Sequence, residues 1–204
     1  MLEPFWEEFY RRDDRAAFTS QPNGTLCEFE YLLSKDAVIL EAGCGEGQNV
    51  LYLARQGYEN VDAFDLSENG IAKVRRRCAA QDIHLNAYVA DLTQYTFAKQ
   101  YDCILCFGTL HFVQKAQWKR FIAQAKANTK PGGIHIMQIF TDAVPITEDL
   151  APFAVGLAKD GELREQYADW EILQFKSYVF DDQHDHLPKH QHAANKIVAR
   201  KRGL

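Results

Sequence analysis

Three glycines follow an acidic side chain at every second position, and this spacing is typical of a ligand-binding turn. The glycines are Gly43, Gly45 and Gly47, and the acid before them is Glu41. Because glycine has no Cβ, such a turn can bend sharply and let a ligand approach the backbone closely. A dinucleotide-binding turn would have a glycine where this chain has Gln48, and an acid before the turn would repel a pyrophosphate. The pattern therefore favours a cationic ligand and counts against an NAD-dependent oxidoreductase.

Two further acids come at the ends of predicted strands. The consecutive apolar residues 38–40 predict a buried parallel strand, and the apolar run 61–64 predicts a second strand that ends at Asp65. A third predicted strand, at residues 84–90, ends in Asp91. Ligands of open α/β sheets bind beyond the carboxyl ends of the strands. The glycine turn and both acids are therefore expected at one edge of a parallel sheet.

The elements that must position these residues follow from apolar periodicity. Strands and helices alternate around the glycine turn, which predicts an α/β fold with a doubly wound, Rossmann-like sheet. The last two predicted strands are expected to form a hairpin at the sheet edge. Besides the three strands above, the predicted elements are helices near 5–10, 26–33, 50–54, 68–80, 116–127 and 161–170, strands at 101–107, 134–140, 172–180 and 193–199, and a loop at 141–160.

Composition indicates a single domain without a nucleic-acid or membrane partner. The chain has 204 residues, of which 47% are hydrophobic, and this is enough for one core. Its 23 basic and 28 acidic residues give a net charge of −5, and no basic block suits a phosphate backbone. No apolar run reaches the roughly 20 residues that span a bilayer, and the first residues lack a signal peptide's apolar core. A cytoplasmic protein is therefore expected.

The five cysteines are scattered and lie mostly within apolar runs, so they are expected to be reduced thiols packed as small hydrophobic residues. Cys103 and Cys106 form a C-x-x-C pattern on a predicted strand. Residues an odd number of positions apart on a strand face opposite sides of the sheet. The pair is therefore given no role.

The arrangement E-x-G-x-G-x-G followed by Asp65, and the KPGG turn before the fifth strand, resemble motifs of class I S-adenosylmethionine-dependent methyltransferases. The resemblance implies the fold of that class, a seven-stranded, mostly parallel sheet with an antiparallel C-terminal strand. It implies S-adenosyl-L-methionine as the cofactor, with the glycine turn against its methionine part, Asp65 on the ribose hydroxyls and Asp91 on the adenine amino group. The cofactor-binding residues expected on this basis are Glu41, Gly43, Cys44, Gly45, Gly47, Asp65, Leu66, Asp91, Leu92 and Phe107.

Longer stretches of the chain resemble one branch of that class, the tellurite-resistance methyltransferases. These stretches are LEAGCGEGQNVLYLARQGY, VDAFDLS, FAVGLAKDGELREQYADWE and a histidine-bearing segment before VARK. The branch methylates small chalcogen oxyanions, so the resemblance implies methyl transfer to a small-molecule acceptor such as tellurite, selenite or a small thiol. Two alternatives stay open, another small-molecule O- or N-methyltransferase and a protein that binds the cofactor without turnover. A monomer or a homodimer is expected.

Four of the seven histidines lie in the segment DDQHDHLPKHQH between the last two predicted strands. In the class I fold this connection leaves from the same sheet edge as the glycine turn, so the histidines are expected to overhang the acceptor. They could bind or deprotonate the acceptor, form a surface loop without a role, or hold a metal ion, although no cysteine accompanies them and no metal is predicted. The catalytic candidates are His184, His186, His190, His192 and His111, and core packing is an equal alternative for the last.

The histidine segment departs from the tellurite-resistance branch in one respect. In that branch the reactive histidine is followed by arginine, which suits an oxyanion. Here Asp185 follows His184 and Leu187 follows His186. The cations that could compensate for the missing arginine are Lys189, Arg164 and Arg200.

Aromatic residues at helical spacing predict a short amphipathic helix at the start of the chain. This helix either packs on the sheet or forms a lid over the substrate. Within the single predicted domain, residues 1–36 are expected to form N-terminal helices, 37–140 the cofactor-binding core, and 141–204 a substrate-side loop, helix and C-terminal hairpin. The aromatic residues are Phe5, Trp6, Phe9 and Tyr10.

Overall fold

Seven strands form one sheet with the order β3-β2-β1-β4-β5-β7-β6. The structure is a computed structural model that describes residues 3–12, 16, 19–183 and 188–203. The strands are β1 Ile39–Ala42, β2 Val61–Asp65, β3 Asn86–Val89, β4 Tyr101–Phe107, β5 Thr129–Phe140, β6 Glu171–Asp182 and β7 His190–Arg200.

The pairing of these strands explains where the sheet edge is. β1 pairs in parallel with β2 and β4, and β3 and β5 extend the parallel part on either side. β7 pairs antiparallel with both β5 and β6, so it is inserted between them and β6 is the edge strand. The predicted class, a mostly parallel seven-stranded sheet with an antiparallel C-terminal strand, is confirmed.

Two hydrophobic cores lie on the two faces of the sheet, because alternate residues of a strand face opposite sides. On β4, Cys103 belongs to the core beneath α2, α3 and α4, whereas Cys106 belongs to the core beneath α5. Within the described residues, no helix combines the length and apolar character that crossing a bilayer requires. The helices are α1 Phe5–Arg11, α2 Gly24–Phe29, α3 Gln48–Arg55, α4 Glu68–Ala79, α5 Lys115–Ala127 and α6 Glu162–Glu165.

Local sequence signals fix the helix that follows β2. The Ser67 hydroxyl caps α4 by accepting a hydrogen bond from the Gly70 amide at 2.9 Å. Without this cap, one of the free amide groups in the first turn of the helix would lose its partner. Asp65 and the start of α4 are therefore held at the same point of the sheet edge.

Two elements differ from the sequence prediction in the second half of the chain. β5 begins at Thr129, not at residue 134, because Thr129 already pairs with Tyr101 and the KPGG stretch bulges out before Ile134 pairs with Cys103. The helix predicted at 161–170 is only the single turn α6. Beyond it, Tyr167 and Trp170 turn inward and pack around the ring of the buried His135.

β6 and β7 are also longer than predicted, which changes the setting of two histidines. Pairing continues to Asp182 opposite His190, so His190 and His192 are strand residues and do not lie in the connection. The ring of His192 lies 5.6 Å from the ring of Phe180, its partner in the antiparallel register. This aromatic contact extends the ladder beyond the apolar run from which the strand was predicted. His184 and His186 lie outside the described residues.

Candidate active site

A cavity of about 590 Å³ opens at the carboxyl ends of β1, β2 and β4 and extends to β6 and β7. This volume lies in the usual range for small-molecule sites. Every predicted cofactor-binding residue except Gly47 lines the cavity. Gly47 is instead the N-cap residue of α3 and has a left-handed backbone conformation. An added Cβ there would come within 2.7 Å of Val74.

The glycine turn is shaped by the acid that ends β2. The Asp65 carboxylate accepts a hydrogen bond from the Gly45 amide at 2.8 Å and one from the Ser67 amide at 2.9 Å. Burial raises the pKa of Asp65, while these amide donors act in the opposite direction. Gly45 has φ +53°, and an added Cβ would lie 2.8 Å from the Tyr10 hydroxyl. Only glycine fits at this position without displacing the wall of the cavity.

Glu41 is a buried acid that faces the same cavity. Its Oε1 accepts a hydrogen bond from the Asn49 side chain at 2.6 Å, whereas its Oε2 has no hydrogen-bond partner among the described residues. Burial raises the pKa of Glu41 to about 8. A cationic group placed beside Oε2 would favour the carboxylate, since opposite charges lower the pKa of an acid.

Four other predicted cofactor residues lie outside the glycine turn but line the same cavity. Asp91 lines the cavity and accepts a hydrogen bond from the Thr93 amide at 2.7 Å, which orients its carboxylate. Leu92 is buried, so it forms part of the inner wall of the cavity. Leu66 is 70% exposed, so it lies at the rim of the cavity, next to solvent. Phe107 ends β4 at the floor of the cavity.

Helix α1 supplies one wall of the cavity. Trp6, Glu7 and Tyr10 line the cavity, and the ring of Trp6 lies 4.8 Å from that of Phe112. The helix is joined to α4 by a 2.8 Å hydrogen bond from Asn69 to Glu7. The helix therefore borders the cavity and packs against α4, while its action as a lid stays a prediction. No sequence pattern pairs these two helices, because their contacts join residues distant in the chain.

Two candidate histidines and one aromatic ring form a stack at the β5 and β7 side of the cavity. The ring of Phe140 lies parallel to that of His111, with centroids 4.3 Å apart and an interplanar angle of 7°. On its other side is the ring of His192, at 4.8 Å and 19°. His111 and His192 both line the cavity, whereas His190 lies behind His192, with a 3.2 Å distance between their Nε2 atoms.

The structure argues against His111 as a general base. Burial, with a further contribution from nearby His192, lowers the pKa of His111 to about 3, so the ring is neutral at physiological pH. Its Nδ1 accepts the Phe140 amide hydrogen bond at 3.4 Å, and the proton therefore resides on Nε2. That Nε2 has no hydrogen-bond partner among the described residues. His111 can therefore donate a hydrogen bond to a ligand but is a poor proton acceptor.

The cavity is lined by acidic side chains and not by basic ones of the lysine or arginine type, among the residues that the structure describes. Five acidic side chains line it, and none of the described lining residues is lysine or arginine. The cations suggested from the sequence lie elsewhere: Lys189 pairs with Asp181 at 2.7 Å, Arg200 with Glu171 at 3.5 Å, and Arg164 lies over the ring of Phe175. The cavity as built is therefore suited to a cationic ligand. The acidic side chains that line the cavity are Glu7, Glu41, Asp65, Asp91 and Asp182.

Sequence comparison identifies the family of this chain. A family model described as "Tellurite resistance protein TehB" matches residues 25–200. The chain belongs to the TehB family. The resemblance to the tellurite-resistance branch is confirmed by this match.

Individual relatives of the TehB family share part of their length with this chain. A protein from Haemophilus influenzae named "Probable S-adenosyl-L-methionine-dependent methyltransferase TehB" is 30% identical over 67% of this chain and 47% of its own length. "Hemagglutinin 1" of Eikenella corrodens is 33% identical over 69% of this chain and 46% of its own length. The chain thus spans about half the length of the curated relatives it matches.

The fold of TehB from Haemophilus influenzae is similar to that of this chain. Its crystal structure superposes with a TM-score of 0.80 at 24% identity, covering 96% of this chain and 66% of that one. The similarity extends beyond the cofactor turn to the β6–β7 end of the sheet, because almost the whole of this chain is covered.

Proposed function

We propose that this chain transfers the methyl group of S-adenosylmethionine to a small-molecule acceptor. The observation that carries the proposal is the acidic character of the cavity, where five acidic side chains surround a glycine turn and no lysine or arginine is among the described lining residues. A sulfonium and an ammonium group gain Coulomb energy in such a site, whereas the pyrophosphate of a dinucleotide would be repelled. Family membership supports the same cofactor, since a TehB relative is named as dependent on it.

The residues that line the cavity match the parts of this cofactor. The Oε2 atom of Glu41, which has no hydrogen-bond partner in the described part of the chain, and the glycine turn would lie beside the ammonium group. Asp65, already oriented by two amide donors, would hold the ribose hydroxyls, and Asp91 would accept from the adenine amino group. Exposed Leu66 would cover the adenine ring from the solvent side.

The acceptor belongs in the aromatic half of the cavity. Bound S-adenosylmethionine supplies an electrophilic methyl carbon, which a lone pair of the acceptor displaces while the carbon–sulfur bonding electrons return to sulfur. The chain positions the acceptor and excludes water, which is the main contribution a protein makes to an in-line displacement. Trp6, Phe112 and Phe140 form the wall there, and the Nε2–H of His111 can orient the acceptor.

A chalcogen nucleophile is the acceptor we favour, either a small thiol or an oxyanion such as tellurite or selenite. Family membership supports this class. The polarisable aromatic wall also suits sulfur, selenium or tellurium, because sulfur makes favourable contacts with aromatic rings. The second candidate is a small oxygen or nitrogen nucleophile, for which the hydrogen-bond donor of His111 provides the support.

Product formation across an acceptor panel tests the proposal. Purified chain is incubated with S-adenosylmethionine and, in separate reactions, tellurite, selenite, a small thiol, a phenol and an amine, and S-adenosylhomocysteine is quantified. We expect turnover with at least one chalcogen acceptor. Calorimetric binding of NAD without binding of either sulfur cofactor would overturn the assignment. Cofactor binding without product from any acceptor would instead indicate a binding protein.

We place this reaction in the cytoplasm, acting on a small molecule and without a nucleic-acid partner. All five cysteines are free thiols, including the exposed Cys27. Free exposed thiols are characteristic of reducing compartments. The chain is proposed to act as a monomer or a homodimer, which sedimentation analysis of the purified chain would distinguish.

A further inference from the structure

Three potential metal ligands converge where β6 and β7 border the cavity. The ligand atoms of Asp182, His190 and His192 all lie within 4.8 Å of one another. Asp182 and His190 are opposite each other in the antiparallel register, and His192 is two residues further on the same face of β7. The ligands therefore stand on paired strands, which hold side chains more accurately than a loop does.

The orientation of His190 suits a metal ligand. Its Nδ1 lies 2.9 Å from the Pro188 carbonyl oxygen, which can only accept, so Nδ1 donates the hydrogen bond. In the neutral ring, Nε2 then carries a lone pair, and this atom faces the other two ligands. Metal-binding histidines commonly donate their second ring nitrogen to a carbonyl in this way, which fixes both tautomer and orientation.

His192 is held equally firmly, but by packing. Its side chain is 1% exposed, and its ring is stacked on Phe140. From this position its Nε2 lies 3.2 Å from the Nε2 of His190 and 3.7 Å from the Asp182 carboxylate. A cation between these three atoms would be contacted by two imidazole nitrogens and one carboxylate oxygen.

We propose that Asp182, His190 and His192 bind a divalent transition-metal ion of the Zn²⁺ type at the acceptor end of the cavity. Two histidines and one carboxylate are a common donor set for such ions, and three protein ligands leave a coordination position open. Because Asp182 and His192 line the cavity, the open position faces the space assigned to the acceptor.

The ion supplies the positive charge that the cavity otherwise lacks. This part of the inference rests on the proposed acceptor class. An oxyanion binds through oxygen, leaving its chalcogen lone pair free to attack the methyl carbon. A thiol binds as the thiolate after releasing its proton to solvent, because coordination lowers the pKa of the thiol. The metal keeps its oxidation state throughout, and the carbon–sulfur electrons of the cofactor remain on sulfur.

Direct metal titration tests the site without relying on activity. The full chain, freed of any polyhistidine tag and treated with chelator, is titrated with Zn²⁺ against a chromogenic chelator, and with Co²⁺ by visible absorption. We expect one ion per chain in a site of low symmetry. Asp182→Asn, His190→Ala and His192→Ala should each weaken binding by at least about 100-fold, since losing even an outer partner of a ligand costs about 10–100-fold.

The matched control is His84→Ala. His84 lies 3.7 Å from Asp82, the same distance as His192 from Asp182, but the pair is exposed and no third ligand among the described residues is grouped with it. Zn²⁺ affinity should be unchanged in this variant. Parent-like affinity in all three site variants would overturn the site, and so would losses confined to the histidine variants, because the carboxylate would then not be a ligand.

Two further readouts separate this inference from the proposed function. S-adenosylhomocysteine affinity of the metal-free and metal-loaded chains should agree within about twofold, because the ion lies away from the cofactor residues. Turnover of a chalcogen acceptor should fall at least about tenfold on metal removal and return on adding Zn²⁺. Equal turnover with and without the ion would overturn its role while leaving the methyltransferase assignment intact. Absence of all turnover with tight metal binding would contradict the proposed function alone.

Discussion

Glu41 is the residue whose charge depends most on what the cavity holds. Because burial raises its pKa to about 8, its carboxyl group is mainly protonated at neutral pH without ligand. Binding of a cation should release that proton. We therefore expect affinity for S-adenosylmethionine to increase between about pH 6 and pH 8. Calorimetry in two buffers of different ionisation enthalpy should show release of up to one proton.

The control for this prediction is Glu41→Gln, which keeps an acceptor for the Asn49 amide but cannot titrate. Proton release should be absent in the variant.

The unliganded parent and variant should also differ in how their stability depends on pH. The folded pKa of Glu41 lies above its ordinary value of 4.5, so the unfolded chain loses this proton first and stability falls as pH rises from 4.5 to about 8. This component should be missing in the variant, and identical pH profiles would contradict the raised pKa.

Asp65 offers a second test at the same scale. Asp65→Asn should weaken S-adenosylhomocysteine binding by roughly 1.5–3 kcal/mol, the usual scale for hydrogen bonds to a charged group. Titration calorimetry measures the change. The matched control is Asp62→Asn on the same strand, since Asp62 pairs with Lys99 at 2.8 Å and does not line the cavity. Unchanged affinity in Asp65→Asn would remove this side chain from the site.

Among the elements, α1 is attached to α4 through the buried Lys73, which also pairs with Glu46. Lys73 Nζ lies 2.8 Å from the Glu46 carboxylate and donates a 3.0 Å hydrogen bond to the Phe9 carbonyl. Lys73→Met would leave the buried Glu46 carboxylate with Arg77 still beside it, at 3.2 Å. Because breaking a buried pair outright costs about 3–5 kcal/mol, we expect a loss of about 3 kcal/mol or less. Urea unfolding should show that loss, and hydrogen exchange should show α1 opening more readily. An unchanged unfolding free energy would mean that this pair does not fasten the helix.

The control for the ion pair is Lys99→Met. Its partner Asp62 is buried, but the Lys99 side chain is 48% exposed, so solvent screens the interaction. Surface pairs contribute about 0–1 kcal/mol. Adding Glu46→Gln to Lys73→Met should recover part of the lost stability, because the buried negative charge that lost its lysine is then removed.

The elements also show what the sequence could predict. Residues 38–40 and 103–107 are continuous apolar runs, which predict strands buried on both faces of the sheet. The strands observed there are β1, at Ile39–Ala42, and β4, at Tyr101–Phe107. The glycine spacing and the strand-end acids are local signals as well. By contrast, α1 reaches the cavity through Trp6 and Tyr10, which contact residues far along the chain. The lengths of β6 and β7 depend on cross-strand pairs that hydrophobic periodicity does not encode.

For the whole molecule, ligand binding should raise thermal stability by mass action. At 100 times the dissociation constant, S-adenosylhomocysteine should add about 2.7 kcal/mol, or roughly 5–10 °C in Tm for a domain of this size. Gly45→Val should fold but show no such shift, because its side chain would enter the cavity wall at Tyr10. Differential scanning fluorimetry measures both.

The control is Gly132→Val. Gly132 also has a positive φ, +78°, but an added Cβ would meet no atom within 4 Å, and the residue does not line the cavity. Both variants therefore carry a similar backbone strain, while only one blocks the site. A ligand-induced shift in Gly45→Val equal to that in Gly132→Val would show that the turn does not approach the cofactor.

The distribution of the three tryptophans gives the molecule an optical property. Trp118 and Trp170 are buried in the core away from the cavity, whereas Trp6 lies on α1 and lines it. Any change in intrinsic fluorescence on adding a ligand therefore comes chiefly from one indole, next to the rings of Phe112 and Phe153. The Trp6→Phe variant lacks this indole, so the difference between its emission and that of the parent chain isolates the signal of Trp6. That signal should follow, in real time and without an added label, the contact between α1 and a bound ligand.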